Sequence, residues 1–358
     1  MIDSQMIYVH IPFCKKRCDY CAFVSCTDFD RCEKYFQFLK QEIKQCKHVQ
    51  LSVSSIYFGG GTPSSVDESY ICEILKIIKN KFKIQADCEI SIECNPNTIT
   101  YKKLKSFFDA GFNRISFGVQ SLLQNELEKI GRLQTKRQVQ TAMSNAIKVG
   151  FKNISVDLLL GLENQSLGSL EKQIELLHVW GATHFSLYML MIEEGTNLLK
   201  NVKDKLYFPL EDEKCVEIYD AVNKKLKCLG YNRYEVSNFA KSGYECRHNL
   251  GYWQMKQYLG FGLAAHSFVE EKRISNPENF LDYFNGKKEI ELCNEQTLDE
   301  ERVMLGLRTI FGVEERFIKN KQQLSLLLKK GIIEKNNSRI RVADDYFGVL
   351  NQIILKLI

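Results

Sequence analysis

Three closely spaced cysteines are the residues of this chain most suited to chemistry. Cys14, Cys18 and Cys21 follow the pattern C-x3-C-x2-C within HIPFCKKRCDYCAF. Thiolates bind iron–sulfur clusters or zinc, and such short spacings let one loop wrap around a cubane. A [4Fe–4S] cluster held by three thiolates keeps one iron open for a further ligand. The spacing therefore favours an iron–sulfur cluster with an open coordination site.

Two other interpretations of the cysteines stay open at this point. A zinc ion could be completed by His10, Cys26 or Cys32, although zinc motifs commonly use two separated ligand pairs and no second C-x2-C pair occurs here. The cysteines could also be incidental. With 13 cysteines in 358 residues the chain is no disulfide scaffold. The odd number favours a reducing compartment, where clustered cysteines are better interpreted as metal ligands.

The elements that must position this loop alternate between strand and helix. Strand-like runs occur at 6–11, 55–58, 88–94, 114–120, 154–161 and 183–190, each followed by a helical pattern. Thr100 predicts a helix start, and Gly111 and Gly150 predict helix ends. Alternation of this kind predicts an α/β fold with a parallel sheet and right-handed crossovers. Six strands are two short of a closed eightfold barrel, so we expect an open or partial barrel.

The pattern changes after residue 205 and again near residue 296. We predict a barrel at 1–205, a barrel-completing helical and aromatic-rich segment at 206–295, and a small α+β module at 296–358. The middle segment contains the word HNLGYW.

Composition excludes several classes of protein. Hydrophobic residues make up 44% and charged residues 26%, with a mean hydropathy of −0.25, as in soluble globular proteins. The sequence contains no run of about 18 apolar residues, so we expect no membrane span. The net charge of +5 does not indicate nucleic-acid binding. The first residues lack a basic stretch followed by an apolar core, so we expect no signal peptide and a cytoplasmic protein.

The cysteine loop after a first strand, with Tyr20 between its last two cysteines, resembles the radical S-adenosylmethionine superfamily. The words YVHIPFC, FGGGTPS, IECNPNT, NRISFGVQS, YEVSNFA, RHNLGYW and AHSF narrow the resemblance. In this order, from about residue 6 to 312, they resemble the oxygen-independent coproporphyrinogen III oxidase family and, within it, the HemW heme-chaperone branch. The implied fold is a partial (β/α)6 TIM-like barrel with a small C-terminal, winged-helix-like α+β module.

The resemblance implies which residues line an S-adenosylmethionine site beside the [4Fe–4S] cluster. They are Tyr8, Tyr20, Gly60, Gly61, Thr62, Glu93, Gln120, Arg132 and Asp157. Polar groups that point into a barrel need partners, which a ribose, a carboxylate and an adenine would supply. We predict that Glu93 binds hydroxyl groups of this ligand and that Arg132 binds its carboxylate. The alternative is an internal Glu–Arg network without a ligand. The turn at 161–166, GLENQS, departs from the family's GLPGQT-like turn.

Two features separate the branches of this family. The oxidase branch carries a further cysteine two residues after the third ligand, where this chain has Phe23. Within HNLGYW, we predict His248 as a heme ligand with Tyr252 and Trp253 packing against the porphyrin. The alternative interpretation of His248 is a structural histidine. His266 is the second candidate ligand.

The resemblance also implies a function and its partners. The oxidase branch uses a 5′-deoxyadenosyl radical on coproporphyrinogen III, whereas the chaperone branch binds heme and passes it to acceptor proteins. We therefore expect a heme chaperone with a [4Fe–4S] cluster, S-adenosylmethionine and heme, a cytosolic electron donor and heme-accepting proteins, and no oxidase activity. The alternatives are the oxidase itself and a non-catalytic iron–sulfur or zinc scaffold. No residue is assigned a catalytic role.

Overall fold

Six parallel strands form the centre of the fold and follow one another in chain order. The structure, a computed structural model, describes residues 4–358. Residues 1–3 lie outside the described residues. They belong to the predicted first domain and to the segment in which we expect no signal peptide. The strands are β1 (Ser4–Ile11), β2 (Ser52–Gly60), β3 (Ile84–Cys94), β4 (Arg114–Gln120), β5 (Asn153–Leu160) and β6 (His184–Met189). Each pairs in parallel with the next. The predicted α/β partial barrel is confirmed.

Helices cover the outer face of this sheet. They are α1 (Cys32–Gln45), α2 (Glu68–Lys81), α3 (Tyr101–Ala110), α4 (Gln124–Lys129), α5 (Lys136–Val149) and α6 (Leu167–Val179), and α7 (Asn197–Lys203) and α8 (Asp212–Cys228) follow β6. Thr100 caps the start of α3, where its side chain accepts from the amide of Lys103, and left-handed Gly111 ends it. Gly150 ends α5 with a φ of +121°. These glycines adopt backbone angles that disfavour other residues.

Alternation along the strands decides which side chains face the helices and which face the barrel interior. On β1, Ile7, Val9 and Ile11 are fully buried in the main core, which also contains helical residues such as Ile74 of α2. Because strand side chains alternate between faces, the residues between them point to the other side. Burial of each branched side chain contributes roughly 1.5–3 kcal/mol to folding. The outer face thus holds the sheet together and the inner face is available for polar groups.

The six-stranded sheet is extended at both edges instead of closing on itself. The extending elements are β7 (Asn232–Arg233), β8 (Asn238–Ala240), α9 (Arg247–Trp253), β9 (Tyr258–Phe261), β10 (His266–Val269), β11 (Lys272–Ser275), α10 (Phe280–Phe284) and β12 (Glu289–Leu292). Strand β9 pairs in parallel with β1, and β10 to β12 continue antiparallel. Strand β8 pairs antiparallel with β6, and β7 with β8. Within residues 4–358 the resulting sheet has 12 strands.

The end of the chain forms the predicted small α+β module. Its elements are α11 (Glu295–Gly306), β13 (Val313–Glu314), α12 (Lys321–Lys329), β14 (Ile333–Asn336), β15 (Arg339–Val342) and α13 (Leu350–Leu357). The three strands form a separate antiparallel sheet. Arg233 joins the module to the barrel, since it lies 3.7 Å above the Phe347 ring and pairs with Asp344 at 3.0 Å. The division at residues 205 and 295 stays a prediction.

None of the helices in residues 4–358 combines the length and the apolarity that a membrane crossing requires.

Candidate functional site

A cavity of about 460 Å³ opens at the carboxyl ends of the parallel strands. Its wall contains residues at or near the ends of four strands, namely Gly60, Cys94, Gln120 and Leu159, together with the cysteine loop. In parallel α/β barrels this edge is where ligands bind, since loops from several strands meet there. The cavity is therefore the candidate functional site.

The cysteine loop is fixed to the end of β1 by backbone hydrogen bonds. The amide of Cys14 donates to the Cys26 carbonyl at 2.9 Å, and the amide of Cys26 donates to the Pro12 carbonyl at 2.7 Å. A tight turn follows, in which the amide of Cys21 donates to the Cys18 carbonyl at 3.1 Å. All three thiols of the trio line the cavity. The loop thus presents Cys14, Cys18 and Cys21 to one space.

The chemistry of this donor set fits an anionic cluster. Burial raises the pKa of the Cys14 thiol to about 11 and also raises the pKa of the Cys21 thiol. A bound metal reverses this preference because a coordinating thiol loses its proton. Among residues 4–358 no three His, Cys, Asp or Glu side chains converge on the position of a single ion. A cubane needs a wider arrangement, since each thiolate binds a different iron atom.

The three residues that could complete a zinc site are engaged elsewhere. His10 Nε2 lies 2.9 Å from the Val24 carbonyl oxygen, and its Nδ1 lies 3.2 Å from the Tyr8 hydroxyl. Cys26 Sγ accepts a hydrogen bond from the Asp28 amide at 3.3 Å. Cys32 is buried at the first turn of α1 within the main core. The geometry therefore favours the three-thiolate cluster over zinc.

The glycine-rich turn after β2 packs directly against the strand that leads into the cysteine loop. Gly60 has a φ of +108°, and a Cβ there would lie 2.6 Å from the His10 ring. A Cβ on Gly61 would lie 2.8 Å from the backbone of Pro12. The amide of Thr62 donates to the Phe13 carbonyl at 3.0 Å. Only glycine allows this close approach, which explains the GGGTP word in physical terms.

Two carboxylates, Glu93 and Asp157, lie in the polar wall of the cavity. Glu93 Oε1 accepts a hydrogen bond from the Tyr57 hydroxyl at 2.9 Å, and Asp157 Oδ1 accepts one from the Ser116 hydroxyl at 3.1 Å. Burial, followed by the Asp157 charge, raises the pKa of Glu93 to about 7. Burial also raises the pKa of Asp157. Hydroxyl or ammonium groups of a ligand would relieve this cost by donating hydrogen bonds.

Arg132 connects this wall to the cysteines. Its Nη1 donates to Cys18 Sγ at 3.4 Å, its Nε donates to Gln134 Oε1 at 3.0 Å, and its Nη2 donates to the Gly118 carbonyl. A Cβ on Gly118 would lie 2.7 Å from Nη2. The guanidinium is therefore held in one position beside the thiols.

Several polar atoms in the cavity wall are buried without a partner in residues 4–358. They are Ser25 Oγ, Asn97 Oδ1 and Arg114 Nε. An unpaired buried polar group costs about 1–3 kcal/mol, so such atoms call for a polar ligand or water. A cavity that combines three thiols with orphaned polar atoms suits a cluster and a zwitterionic nucleoside-like molecule such as S-adenosylmethionine.

The structure brings together all the residues assigned to S-adenosylmethionine except Tyr8. Tyr20, Gly60, Gly61, Thr62, Glu93, Gln120, Arg132 and Asp157 line the cavity. Tyr8 instead lines a second cavity, with its ring stacked on Tyr57 at 6.4 Å and its hydroxyl on His10. Tyr57, which lines the first cavity, lies next to Tyr8. The ligand roles of all nine residues, Tyr8 included, stay a prediction.

Sequence reasoning missed two polar residues, Arg114 and Ser116, that the strand pattern could have revealed. With Gly118 and the predicted Gln120 they alternate along β4, and all four line the cavity. This period of two places them on one inner face. Gln120 has a φ of +63° at a shift in the pairing register between β4 and β5. Such strained backbone positions concentrate at functional sites.

The HNLGYW word forms helix α9, whose start is held by Glu89. The two carboxylate oxygens of Glu89 accept from the amides of Arg247 and His248 at 3.0 and 3.1 Å. His248 is 1% exposed, with Nδ1 at 2.9 Å from Ser55 Oγ and Nε2 at 3.1 Å from the Tyr252 hydroxyl. Both ring nitrogens are thus hydrogen-bonded within the fold. The predicted role of His248 as a heme ligand stays a prediction, as does the alternative of a structural histidine.

A second cavity, of about 360 Å³, lies beside β1 and shares Ala22 and Phe23 with the first. Tyr252 and His266 line it, whereas Trp253 lines neither of these two cavities. Of the three predicted heme residues, only Tyr252 therefore reaches this space.

Comparison with known proteins decides the family. A profile of the radical SAM superfamily matches residues 8–177. The chain is 35% identical to "Heme chaperone HemW" of Bacillus subtilis, over 93% of each protein. It is 30% identical to "Radical S-adenosyl methionine domain-containing protein 1, mitochondrial" of Bos taurus, over 98% of this chain and 87% of that protein. The chain belongs to the HemW family. Membership of the radical SAM superfamily implies a [4Fe–4S] cluster and S-adenosylmethionine.

The chain shares its fold with a solved structure of an oxidase. "Coproporphyrinogen III oxidase (HemN) from Escherichia coli" superposes with a TM-score of 0.85, over 100% of this chain and 91% of that one, at 20% identity. This likeness shows a common fold. The resemblance derived from the sequence words, to a coproporphyrinogen oxidase family and its HemW branch, is confirmed.

Proposed function

We propose that this chain is a cytoplasmic heme chaperone that holds a [4Fe–4S] cluster and S-adenosylmethionine in the first cavity, binds heme and delivers it to acceptor proteins. A cytosolic electron donor would reduce the cluster. The observation that carries the proposal is the match to a heme chaperone at 35% identity over 93% of both proteins. A match over 93% of both proteins includes the barrel, the aromatic-rich segment and the C-terminal module.

The residues of the first cavity have distinct tasks in this proposal. Cys14, Cys18 and Cys21 would hold the cluster, and Arg132 would offset its negative charge while it orients the ligand carboxylate. Glu93 would accept from ribose hydroxyls. A reduced cluster and bound S-adenosylmethionine would together supply one-electron cleavage of the sulfonium bond.

Phe23 supports the chaperone over the oxidase. It lies two residues after Cys21, its side chain is 69% exposed, and it lines both cavities. The oxidase branch that the sequence resembles has a cysteine at this position. A phenyl ring cannot replace a thiol in acid–base or radical steps, but it offers an apolar surface for a porphyrin.

Heme titration beside an oxidase assay tests the proposal. Protein with reconstituted cluster is titrated with heme, and the loaded protein is mixed with apomyoglobin as a heme acceptor while the Soret band is followed. We expect saturable binding near one heme per chain and transfer to the acceptor. The same preparation, reduced with dithionite and given S-adenosylmethionine, should not convert coproporphyrinogen III to protoporphyrinogen IX. Sustained conversion would support the oxidase, and absence of saturable heme binding would refute the chaperone.

A separate measurement distinguishes a live radical site from a metal scaffold. Release of 5′-deoxyadenosine from S-adenosylmethionine under dithionite requires the cluster and the ligand together in the first cavity. We expect release from the native chain and none from Cys18→Ser. Zinc in place of iron and sulfide in the purified protein would favour the scaffold.

A further inference from the structure

The cysteine loop carries three exposed cations, Lys15, Lys16 and Arg17, which we call the basic segment. They occupy the three positions between Cys14 and Cys18, and all of them line the first cavity. None of the ion pairs formed within residues 4–358 includes a residue of this segment. Its positive charge is therefore available to a molecule that approaches from solvent.

Hydrogen bonds fix the loop that carries the basic segment. Arg17 Nε donates to the Cys21 carbonyl at 3.1 Å. The amide of Asp19 donates to the Ile130 carbonyl at 3.0 Å, and the carbonyl of Asp19 accepts from the Leu198 amide at 2.7 Å. Two other parts of the chain therefore lie against the loop, and together with it they form one continuous surface beside the thiols.

The charge of the loop favours an acidic partner. Between Cys14 and Cys21 the sequence has one carboxylate, Asp19, against three cations, which leaves an excess of two positive charges. The Oδ1 of Asp19 accepts a hydrogen bond from Asn197 Nδ2 at 3.2 Å. Complementary charge across an interface speeds the encounter of two proteins and selects between partners, and salt screens it.

Exposed apolar side chains accompany the basic segment. Leu133, Met189 and Met191 are 56%, 42% and 66% exposed, and all three line the first cavity. They belong to the same two parts of the chain that bond to Asp19 through Ile130 and Leu198. Apolar side chains, methionine among them, are enriched at the centres of protein interfaces, with charged groups around them. The surface is therefore suited to a protein and not only to a free anion.

We propose that the basic segment, with Leu133 and Met191 beside it, is the docking surface for the electron donor, a small acidic one-electron carrier protein. This inference rests on the proposed function, in which a donor reduces the cluster, and adds where that donor binds. Cys14 and Cys18 flank the segment, so a protein docked there is separated from the cluster by one loop. The donor is oxidised by one electron and the cluster is reduced by one, and no bond forms or breaks. Electron-transfer complexes commonly bury less than about 1,200 Å², so a short loop and a few side chains suffice.

Reduction by an acidic carrier protein tests the docking surface. Flavodoxin, photoreduced to its hydroquinone, is mixed with the reconstituted protein, and stopped-flow absorbance follows the cluster. The variants are Lys15→Glu/Lys16→Glu, the charge-conserving Lys15→Arg/Lys16→Arg, and the control Lys329→Glu/Lys330→Glu, whose exposed lysines line neither cavity. The two glutamate variants have the same net charge. We expect Lys15→Glu/Lys16→Glu to slow reduction by about tenfold at low salt, while the arginine variant and the control keep the native rate within about twofold.

Binding is measured apart from electron transfer. Isothermal titration calorimetry with oxidised flavodoxin gives a Kd, which Lys15→Glu/Lys16→Glu should raise by about tenfold and the control should leave unchanged. Native binding should weaken as salt rises from about 0.02 M to about 0.3 M, because salt screens exposed charges. Binding by Lys15→Glu/Lys16→Glu should depend little on salt. Far-ultraviolet circular dichroism checks that each variant is folded.

Dithionite, a small reductant that needs no docking surface, separates the two proposals. It should reduce the cluster of the native chain and of every variant alike. If it does so while flavodoxin binds and reduces all of them equally, or none of them, the docking surface is wrong and the chaperone proposal stands. If the native chain assembles no cluster that dithionite reduces, the proposed cluster function fails. If Lys15→Glu/Lys16→Glu instead separates a native dimer in light scattering and leaves the flavodoxin rate unchanged, a second copy of the chain occupies this surface.

Discussion

Arg132 donates a hydrogen bond from Nη1 to the Sγ of Cys18 across 3.4 Å, while its Nη2 donates to the carbonyl of Gly118. One side chain therefore connects a proposed cluster ligand with the end of β4. A hydrogen bond to a charged sulfur contributes roughly 1.5–3 kcal/mol. The position of this guanidinium decides both the charge beside the cluster and the site for a ligand carboxylate.

Gly118→Ala should weaken S-adenosylmethionine binding without unfolding the protein. The new Cβ would lie 2.7 Å from Arg132 Nη2 and push the guanidinium away. Loss of one charge-assisted hydrogen bond corresponds to about ten- to a hundredfold in Kd. Isothermal titration calorimetry measures the effect. Gly168→Ala is the matched control, since its Cβ meets nothing within 4 Å. Equal affinity in both variants would remove Arg132 from the ligand site.

Cys14, Cys18 and Cys21 should all be required for the cluster, and Cys26 should be dispensable. The trio lines the cavity, whereas Cys26 Sγ is paired with the Asp28 amide. Removal of one of three thiolates leaves too few ligands for the cubane. Iron and acid-labile sulfide per chain, measured after anaerobic reconstitution of each serine variant, give the answer. A cluster that persists in Cys18→Ser but is lost in Cys26→Ser would overturn the assignment.

Local patterns were sufficient to predict the six parallel strands and the glycine turn. Strand β4 was predicted at 114–120 and occurs at Arg114–Gln120. Its period-two alternation and the bounding Gly111 are properties of neighbouring residues, which a sequence displays directly. The same holds for Gly60, whose positive φ follows from a turn after a strand. The polar side of the cavity follows from these local features.

Long-range pairing explains what the sequence did not reveal. The hydrogen bond of His248 joins it to Ser55, which lies 193 residues away in the chain. Tyr8 faces inward from β1 as alternation predicts, yet β9 pairs with β1 and creates a second cavity on that side. Neither the hydrogen bond between His248 and Ser55 nor the pairing of β9 with β1 can be predicted from the sequence of one segment.

Glu93→Gln should change the pH dependence of stability in the protein without ligand. Burial raises the pKa of Glu93 from its ordinary 4.5 to about 7, with the Asp157 charge as the second cause. Between these values the folded state binds more protons than the unfolded state, so stability falls as pH rises. The contribution of Glu93 is fully present below about pH 4.5 and is lost as pH rises through about 7.

Urea unfolding at pH 5, 6, 7 and 8 measures this effect. Relative to the native chain, Glu93→Gln should gain free energy of unfolding as pH rises from 5 to 7, by about 1–3 kcal/mol, and should change little above pH 7. Glu128→Gln, on the exposed face of α4, should follow the native profile. A constant difference between Glu93→Gln and the native chain at every pH would show that Glu93 is ionised throughout.

His248→Ala should destabilise the fold and leave the heme spectrum unchanged. The imidazole is 1% exposed, stacks on Tyr57 at 5.1 Å and bonds Ser55 and Tyr252 through its two nitrogens. Burial lowers the pKa of His248 to about 3, so the ring is neutral at physiological pH. Its removal leaves a cavity and two hydroxyls without partners. We expect a loss of about 2–4 kcal/mol in the free energy of unfolding.

Two measurements on the same samples separate a structural role of His248 from a ligand role. Urea denaturation gives the stability of His248→Ala and of Ser55→Ala, which removes one hydrogen bond and should cost about 1 kcal/mol. Heme titration is then carried out below the unfolding transition. A structural histidine lowers stability while the Soret position and the Kd stay at native values. A shifted Soret band in a folded His248→Ala protein would mean that heme binding rearranges α9 and frees the imidazole for iron, because in the present arrangement both nitrogens are occupied.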